Sequence, residues 1–260
     1  MPADEAATLS RLRRAVAEIE GSDLSALEAG GRVLPLGAEV IDAALGGGLA
    51  FGCLHEFAPA TPLHIGAAAG FALTLAACAG MSKPTLWIQP DFAGHEAGTL
   101  YGPGLTALGL PMQRLLLLRV ARPVDVLWAM EEGLKSRVLS AVIAELTEDG
   151  PAADLTATRR LALAARDGGG LGFLLRHRIS PEPSAAATRW DIAAAPSIPD
   201  TFGGLGRTAF TLSLMKNRRG LLGRWTIAWD QHDQSFSPLS LGLAETAPDR
   251  PARAPIVHAG

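Results

Sequence analysis

Cysteine is scarce in this chain of 260 residues, with only Cys53 and Cys78. Neither belongs to a CxxC pair or has a histidine at zinc-ligand spacing. That excludes a zinc finger or ribbon, and two cysteines do not make the disulfide framework of a small secreted domain. The histidines, at 55, 64, 95, 177, 232 and 258, form no close pair, so no metal site is expected. Charge is sparse as well: charged residues are 19% of the chain, apolar residues 48%, and the formal net charge is −3. This balance fits a globular core and gives no global attraction to nucleic acid or acidic lipid, so any anion site must be local. The N-terminus, MPADEAATLSRLRRAVAEIEG, lacks the apolar core of a signal peptide, and a cytoplasmic protein is expected.

Common catalytic signatures are missing too. His55 and Glu56 are adjacent, but there is no HExxH, so a zinc protease is excluded on motif grounds. His55 reads as a core or sheet-end histidine. No serine sits in a GxSxG elbow. The glycines Gly46 to Gly48 follow a helical pattern rather than a strand and are not GxGxxG, so they carry little dinucleotide signal.

The longest deficit is of cations. No Lys or Arg occurs from Val33 through Ser82, and Phe57 to Ser82 has no charged residue at all. That apolar stretch is rich in Ala and Gly and interrupted by Pro59 and Pro62. A buried helix is expected there rather than a membrane span.

What is present is an alternation of short apolar strands and helical stretches. Ala38 to Leu49 reads as a short helix ended by three glycines, and CLHEF (Cys53 to Phe57) as a strand. Then come helix His64 to Ala79, strand Pro84 to Gln89, a weak helix His95 to Leu108, and strand Leu115 to Val120. Helix Val124 to Lys135, strand Leu139 to Leu146, helix Ala153 to Ala165 and strand Gly172 to Arg178 complete the series. Such alternation predicts an α/β fold with a mostly parallel sheet covered on both faces. After Ala187 the pattern changes to alternating strands, ATRWDIAAA, RTAFTLSLMKN and GRWTIAWD, the last two joined by a hairpin loop; they predict antiparallel strands at the C-terminal end. The expected organisation is a helical segment over residues 1–30, with an amphipathic helix from Ala6 to Ile19, a core over 31–243, and a flexible tail over 244–260.

At the junction of the CLHEF strand and the next helix, a large class of α/β proteins carries a phosphate loop, GxxxxGK[ST]. Its glycines let backbone N–H groups close on phosphate, its lysine neutralises β/γ charge and its hydroxyl binds magnesium. Ala58 to Ala69 supplies none of this. Gly66 and Gly70 precede alanine and phenylalanine, and no lysine precedes Thr61 or Thr74. His64 is the nearest potential cation and is mostly neutral at pH 7.

The flanks nevertheless resemble a known pattern. LGAEVIDAALGGGLAFGCLHEFAP, with Asp42, Leu45, Gly46 to Gly48, Gly52 and Glu56, resembles the segment leading into the phosphate loop of RecA-type recombinases. LWIQPD resembles their second core strand, AVIAEL the Walker B strand, and SLMKNRRGLLGRW the paired C-terminal strands around a K-N-K turn. The full ordered set, G-x-LHE-x-x-P, AAAGFALTLAA and LWIQ-x-D, resembles the ImuA family of RecA-like, damage-inducible mutagenesis proteins over roughly Gly31 to Leu243. The resemblance implies a RecA-like core. It also implies a non-catalytic accessory role in damage-induced translesion synthesis, as a pseudo-ATPase that needs no cofactor. The partners it implies are ImuB, a Y-family-polymerase-like protein, an error-prone replicative-type DNA polymerase, and RecA itself.

By the same resemblance, Asp91 stands at the water-orienting glutamate of the second strand and Glu145 at the Walker B aspartate. They are acidic remnants of a site whose basic element is gone. Two basic clusters stand out as nucleic-acid or partner contacts: Arg176 and Arg178 flanking His177, and Lys216, Arg218, Arg219 and Arg224 with Trp225 on the hairpin. A third, Arg11, Arg13 and Arg14, lies on the first helix, whose Leu9, Leu12 and Val16 are candidate partner contacts. The place of the recombinase DNA-binding loop, Ile179 to Ala186, is short, has no Lys or Arg and carries Glu182, which argues against recombinase-style DNA pairing. Two other readings stay open: a single-strand DNA-binding module or RecA regulator using the two basic clusters, and an ATPase with an atypical loop.

Overall fold

Between Gly52 and Ala60 the chain runs nearly apolar and extended, and it forms the strand on which the molecule is organised, β3 (Cys53–Pro59). The computed structural model describes residues 31–80, 83–93, 98–147, 153–178, 180–197, 204 and 206–239. The helix expected from Ala6 to Ile19, with Leu9, Leu12 and Val16, and the tail expected over 244–260 lie outside the described residues. Ahead of β3, β1 (Val33–Leu34) and β2 (Leu49–Ala50) form an antiparallel ribbon around helix α1 (Glu39–Ala44). After it come α2 (Ile65–Ala79), β4 (Thr85–Pro90), α3 (Gly102–Ala107), β5 (Leu115–Val120), α4 (Val124–Lys135), β6 (Ala141–Leu146), α5 (Leu155–Gly168) and β7 (Leu171–Arg176). The chain continues through β8 (Thr188–Ala195), β9 (Ala209–Asn217), β10 (Gly223–Asp230) and β11 (Ser235–Pro238).

Nine of these strands make one sheet in the order β11-β10-β9-β8-β3-β7-β6-β4-β5. The run from β5 to β8 is parallel and the run from β8 to β11 antiparallel, as the change of pattern after Ala187 predicts. On one face, α2 buries Phe71 among Phe57, Trp190, Phe210 and Phe236, with ring centroids 5.6 to 6.2 Å away. On the other, Val126 and Met130 of α4 and Leu161 and Ala165 of α5 pack on Leu54, Ile88, Val142 and Leu174. Residues Pro62–Ala79 are long and apolar enough to cross a membrane by composition, but Phe71, Ala72, Leu75 and Ala76 are fully buried in the core.

Three expectations need correction. The helix from His95 to Leu108 shrinks to Gly102–Ala107, with residues 98–100 not helical: Gly98 sits at φ +83°, outside helical geometry, and Pro103 favours a helix start at its own position. Residues 94–97 lie outside the described residues. The strand expected from Leu139 starts at Ala141, after Ser140 hydrogen-bonds back to Pro84. Finally, the sheet is not covered on both faces throughout. Leu116, Leu117 and Leu118 of the edge strand β5 are 51%, 43% and 39% exposed, since the helices stop over β4.

Two motif positions have structural work. The carboxylate of Asp42 accepts from the N–H groups of Leu36 (2.7 Å) and Gly37 (3.0 Å), closing the turn before α1. Gly48 sits at φ +136°, and a Cβ there would lie 2.3 Å from the Leu34 carbonyl oxygen. Gly48→Ala therefore combines backbone strain with a backbone clash, and a loss of about 2–4 kcal/mol is expected in urea unfolding.

His55 is indeed a core histidine. Its Nε2–H donates to the Ala50 carbonyl (3.0 Å) and its Nδ1 accepts from the Thr188 hydroxyl (2.8 Å), whose oxygen accepts in turn from Trp190 Nε1 (2.8 Å). Burial lowers its pKa from 6.5 to about 4. Between those values the unfolded imidazole is protonated and the folded one is not, so stability falls as pH falls through that window, by at most about 3 kcal/mol. Unfolding midpoints measured from about pH 7 to about pH 4 in wild type and His55→Gln check this: the variant loses the histidine's share of the slope.

Candidate functional site

The phosphate-loop position is occupied by strand. Ala58 and Pro59 stay paired with Asp191 and Ile192 of β8, and Ala60 N–H donates to the Ile192 carbonyl at 2.8 Å. A 3-10 turn begins at Pro62, so only Ala60 and Thr61 separate strand from turn, too few to wrap a triphosphate. Pro59 and Pro62 offer no N–H at all. Among the described residues no positive-φ glycine falls between Gly52 and Gly98, so the alternating backbone that makes an anion nest is missing there. The His64 ring accepts from Ala194 N–H at 3.2 Å instead of facing a ligand.

Beside this junction lies a cavity of about 610 Å³ between α2, α3 and the ends of β4 and β9. Ile65, Leu73, Leu100, Leu105, Leu108 and Phe210 give it apolar walls, and no lysine, arginine or histidine among the described residues lines it. Glu145 lies at its base, 4% exposed. The carboxylate accepts from Trp87 Nε1 (2.8 Å) and from Gln89 Nε2 (3.1 and 3.3 Å), and His177 Nε2 is 3.7 Å away. A Walker-type acid holds magnesium through water; this one is enclosed by an indole and an amide. Asp91 is exposed after Pro90, its N–H bonded to the Val120 carbonyl at 3.0 Å. No group of three or more metal-ligating side chains occurs among the described residues.

The basic residues are spread along the sheet. Arg176 and Arg178 stand at the C-terminal end of β7, and Arg218 and Arg219 on the turn after β9, beside the glycine-rich turn after α1. Lys216 and Arg224 lie between: Lys216 is in register with Arg189, whose partner in β3 is Glu56, and Arg224 is in register with Ala58 through Ser213 and Asp191. Arg178 is exposed. Arg176 is an internal group: it donates to Glu56 Oε1 (3.2 Å) and to the Ala153 carbonyl (2.9 Å). Glu56 also pairs with Arg189 (2.9 Å) and accepts from the Ser184 hydroxyl. Sequence reading missed this buried cluster. Arg189 carried the one available signal, a lone cation in an alternating strand.

The hairpin is held to its own chain. Asn217 Nδ2 donates to the Ala44 carbonyl (2.8 Å), Arg219 reaches the Gly46 carbonyl (3.4 Å), and a Cβ on Gly220 would lie 2.2 Å from the Ala44 oxygen. The hairpin turn closes on the glycine-rich turn after α1. Arg224 is exposed on β10, and Lys216 donates to the Ser184 carbonyl (2.6 Å).

No family model matches the chain. Among curated proteins it is 33% identical over 236 residues to the protein named ImuA from two strains of Caulobacter vibrioides, NA1000 and CB 15, covering 83% of this chain and 92% of each relative. That identity over nearly the full length of both, together with the α/β sheet and its antiparallel C-terminal strands, shows that the chain belongs to the ImuA family.

Proposed function

We propose that this protein is a non-catalytic accessory factor of damage-induced translesion synthesis. In this reading it acts in the cytoplasm, without a nucleotide or metal cofactor, by assembling with ImuB and an error-prone replicative-type polymerase. The carrying observation is the phosphate-loop position, where strand pairing, two prolines and a cation-free apolar cavity replace every element that would hold ATP.

An adaptor needs surface rather than a reaction centre. The edge strand β5 offers one, with unpaired backbone groups along one side and three exposed leucines in succession. Such an edge is a template for another chain. The test is complex formation between purified full-length protein and ImuB, with and without Mg-ATP. The adaptor reading predicts a complex whose affinity is independent of nucleotide. It also predicts that Leu116→Lys with Leu118→Lys weakens the complex about tenfold or more while far-ultraviolet circular dichroism is unchanged. An ATP-dependent complex contradicts the non-catalytic reading, and absence of any complex contradicts the partner.

A further inference from the structure

A cleft of about 860 Å³ lies far from the phosphate-loop position. It opens where β3 and β7 begin, at the opposite end of the sheet. One wall is α5. Thr158, Leu161, Ala164 and Ala165 of that helix are buried toward the sheet. A second stripe, Leu155, Arg159, Ala162, Leu163 and Arg166, follows the spacing i, i+4, i+7, i+8, i+11 and lines the cleft instead. Leu163 on that stripe is 50% exposed. The facing wall is the loop over 181–187 with the end of β9.

The cleft is strongly one-signed. Arg32, Arg159, Arg166, Arg189, Lys216 and Arg218 line it against a single acid among the described residues, Glu182. Arg189 serves Glu56, and Arg166 has the flanking Asp167 at 3.8 Å. Arg159 and Arg166 are exposed, and Arg218 keeps a buried Nε with no hydrogen-bond partner. A site of this composition takes a ligand that combines carboxylates or phosphates with apolar groups. Nucleic acid would need aromatic faces for stacking. The one aromatic ring lining the cleft among the described residues, Phe51, is already covered by the Arg32 guanidinium at 3.9 Å. The leucine and proline lining suits a peptide better.

The sequence just ahead of Arg32 has this chemistry. Residues 15–31 contain no lysine or arginine and hold Glu18, Glu20, Asp23 and Glu28 interleaved with Ile19, Leu24 and Leu27. This segment leads directly into Arg32, which lines the cleft. Twelve residues span at most about 40 Å extended and about 18 Å as a helix, so the whole stretch can reach. We propose that residues 18–29 of this chain occupy the basic cleft, with their carboxylates on Arg159, Arg166 and Arg218 and their leucines against Leu155 and Leu163. The inference is independent of the adaptor reading, since it uses neither the phosphate-loop position nor the β5 edge.

Hydrogen exchange on the full-length protein at low salt tests it. Amides of residues 18–29 should exchange about tenfold or more slowly than an unstructured chain. That protection should disappear in Glu20→Lys/Asp23→Lys/Glu28→Lys and in Arg159→Glu/Arg166→Glu, and return when the two sets are combined. Unchanged protection of β6 in each variant shows that the fold survives. Four results overturn the proposal: exchange of 18–29 at the unstructured rate in wild type; protection that neither charge reversal alters; protection that rises with protein concentration, which assigns the cleft to a second copy's segment; or an oligothymidylate that binds wild type and is lost in Arg159→Glu/Arg166→Glu while exchange of 18–29 stays the same.

Discussion

Phe71→Ala is expected to lower the unfolding free energy by about 3–5 kcal/mol. Phe71 is fully buried near the middle of α2 and meets Phe57 edge-on at 5.6 Å, with Trp190, Phe210 and Phe236 around it. Those rings come from β3, β8, β9 and β11, so one side chain joins the parallel and antiparallel halves of the sheet. Removing it leaves a cavity bounded by stiff rings on strands, which cannot collapse easily, and forfeits aromatic contacts worth about 0.5–1.5 kcal/mol each. Equilibrium urea unfolding checks the magnitude. A loss below about 1 kcal/mol would mean that the two halves are not joined through α2.

Glu56→Gln is expected to cost about 3 kcal/mol although it preserves volume. The carboxylate is 2% exposed and sits between Arg176 and Arg189, with the Ser184 hydroxyl as a further donor. The amide removes the negative charge and leaves two guanidinium groups, both largely enclosed, without their counter-charge. Breaking a buried pair from one side is the costly direction, because the remaining charge is desolvated and unpaired. The comparison that isolates this effect is Glu56→Gln in an Arg189→Met background, where the penalty should shrink by roughly half or more. An equal penalty in both backgrounds would mean that Glu56 acts through packing alone.

Much of the architecture could be read from the chain because it depends on local pattern. Apolar strands alternating with helices foretold the parallel sheet, and the switch to alternating strands after Ala187 foretold the antiparallel end. The absence of a phosphate-loop motif was legible because a lysine is either present or absent. The partners of polar side chains could not be read in the same way. Arg176 looked like a ligand-facing cation at a strand end, but its fate depends on Glu56, more than a hundred residues earlier, and on Arg189 in the neighbouring strand. Sheet order decides such meetings, and periodicity does not encode sheet order. For the same reason the exposure of Leu116 to Leu118 was invisible: an all-apolar strand reads the same in the centre of a sheet as at its edge. The basic cleft was hidden because its cations, Arg32, Arg159, Arg166, Arg189, Lys216 and Arg218, are scattered over nearly two hundred residues of sequence and meet only through the sheet order.

Titration of the full-length protein with Mg-ATP, followed by calorimetry and by phosphate release, tests most directly whether the nucleotide site has been replaced. The adaptor reading predicts no saturable binding up to about 1 mM ATP and no phosphate release above background, since nothing at the Ala58 to Ala69 junction can neutralise a triphosphate. Saturable binding in the micromolar range, or turnover that Glu145→Gln abolishes, would contradict it.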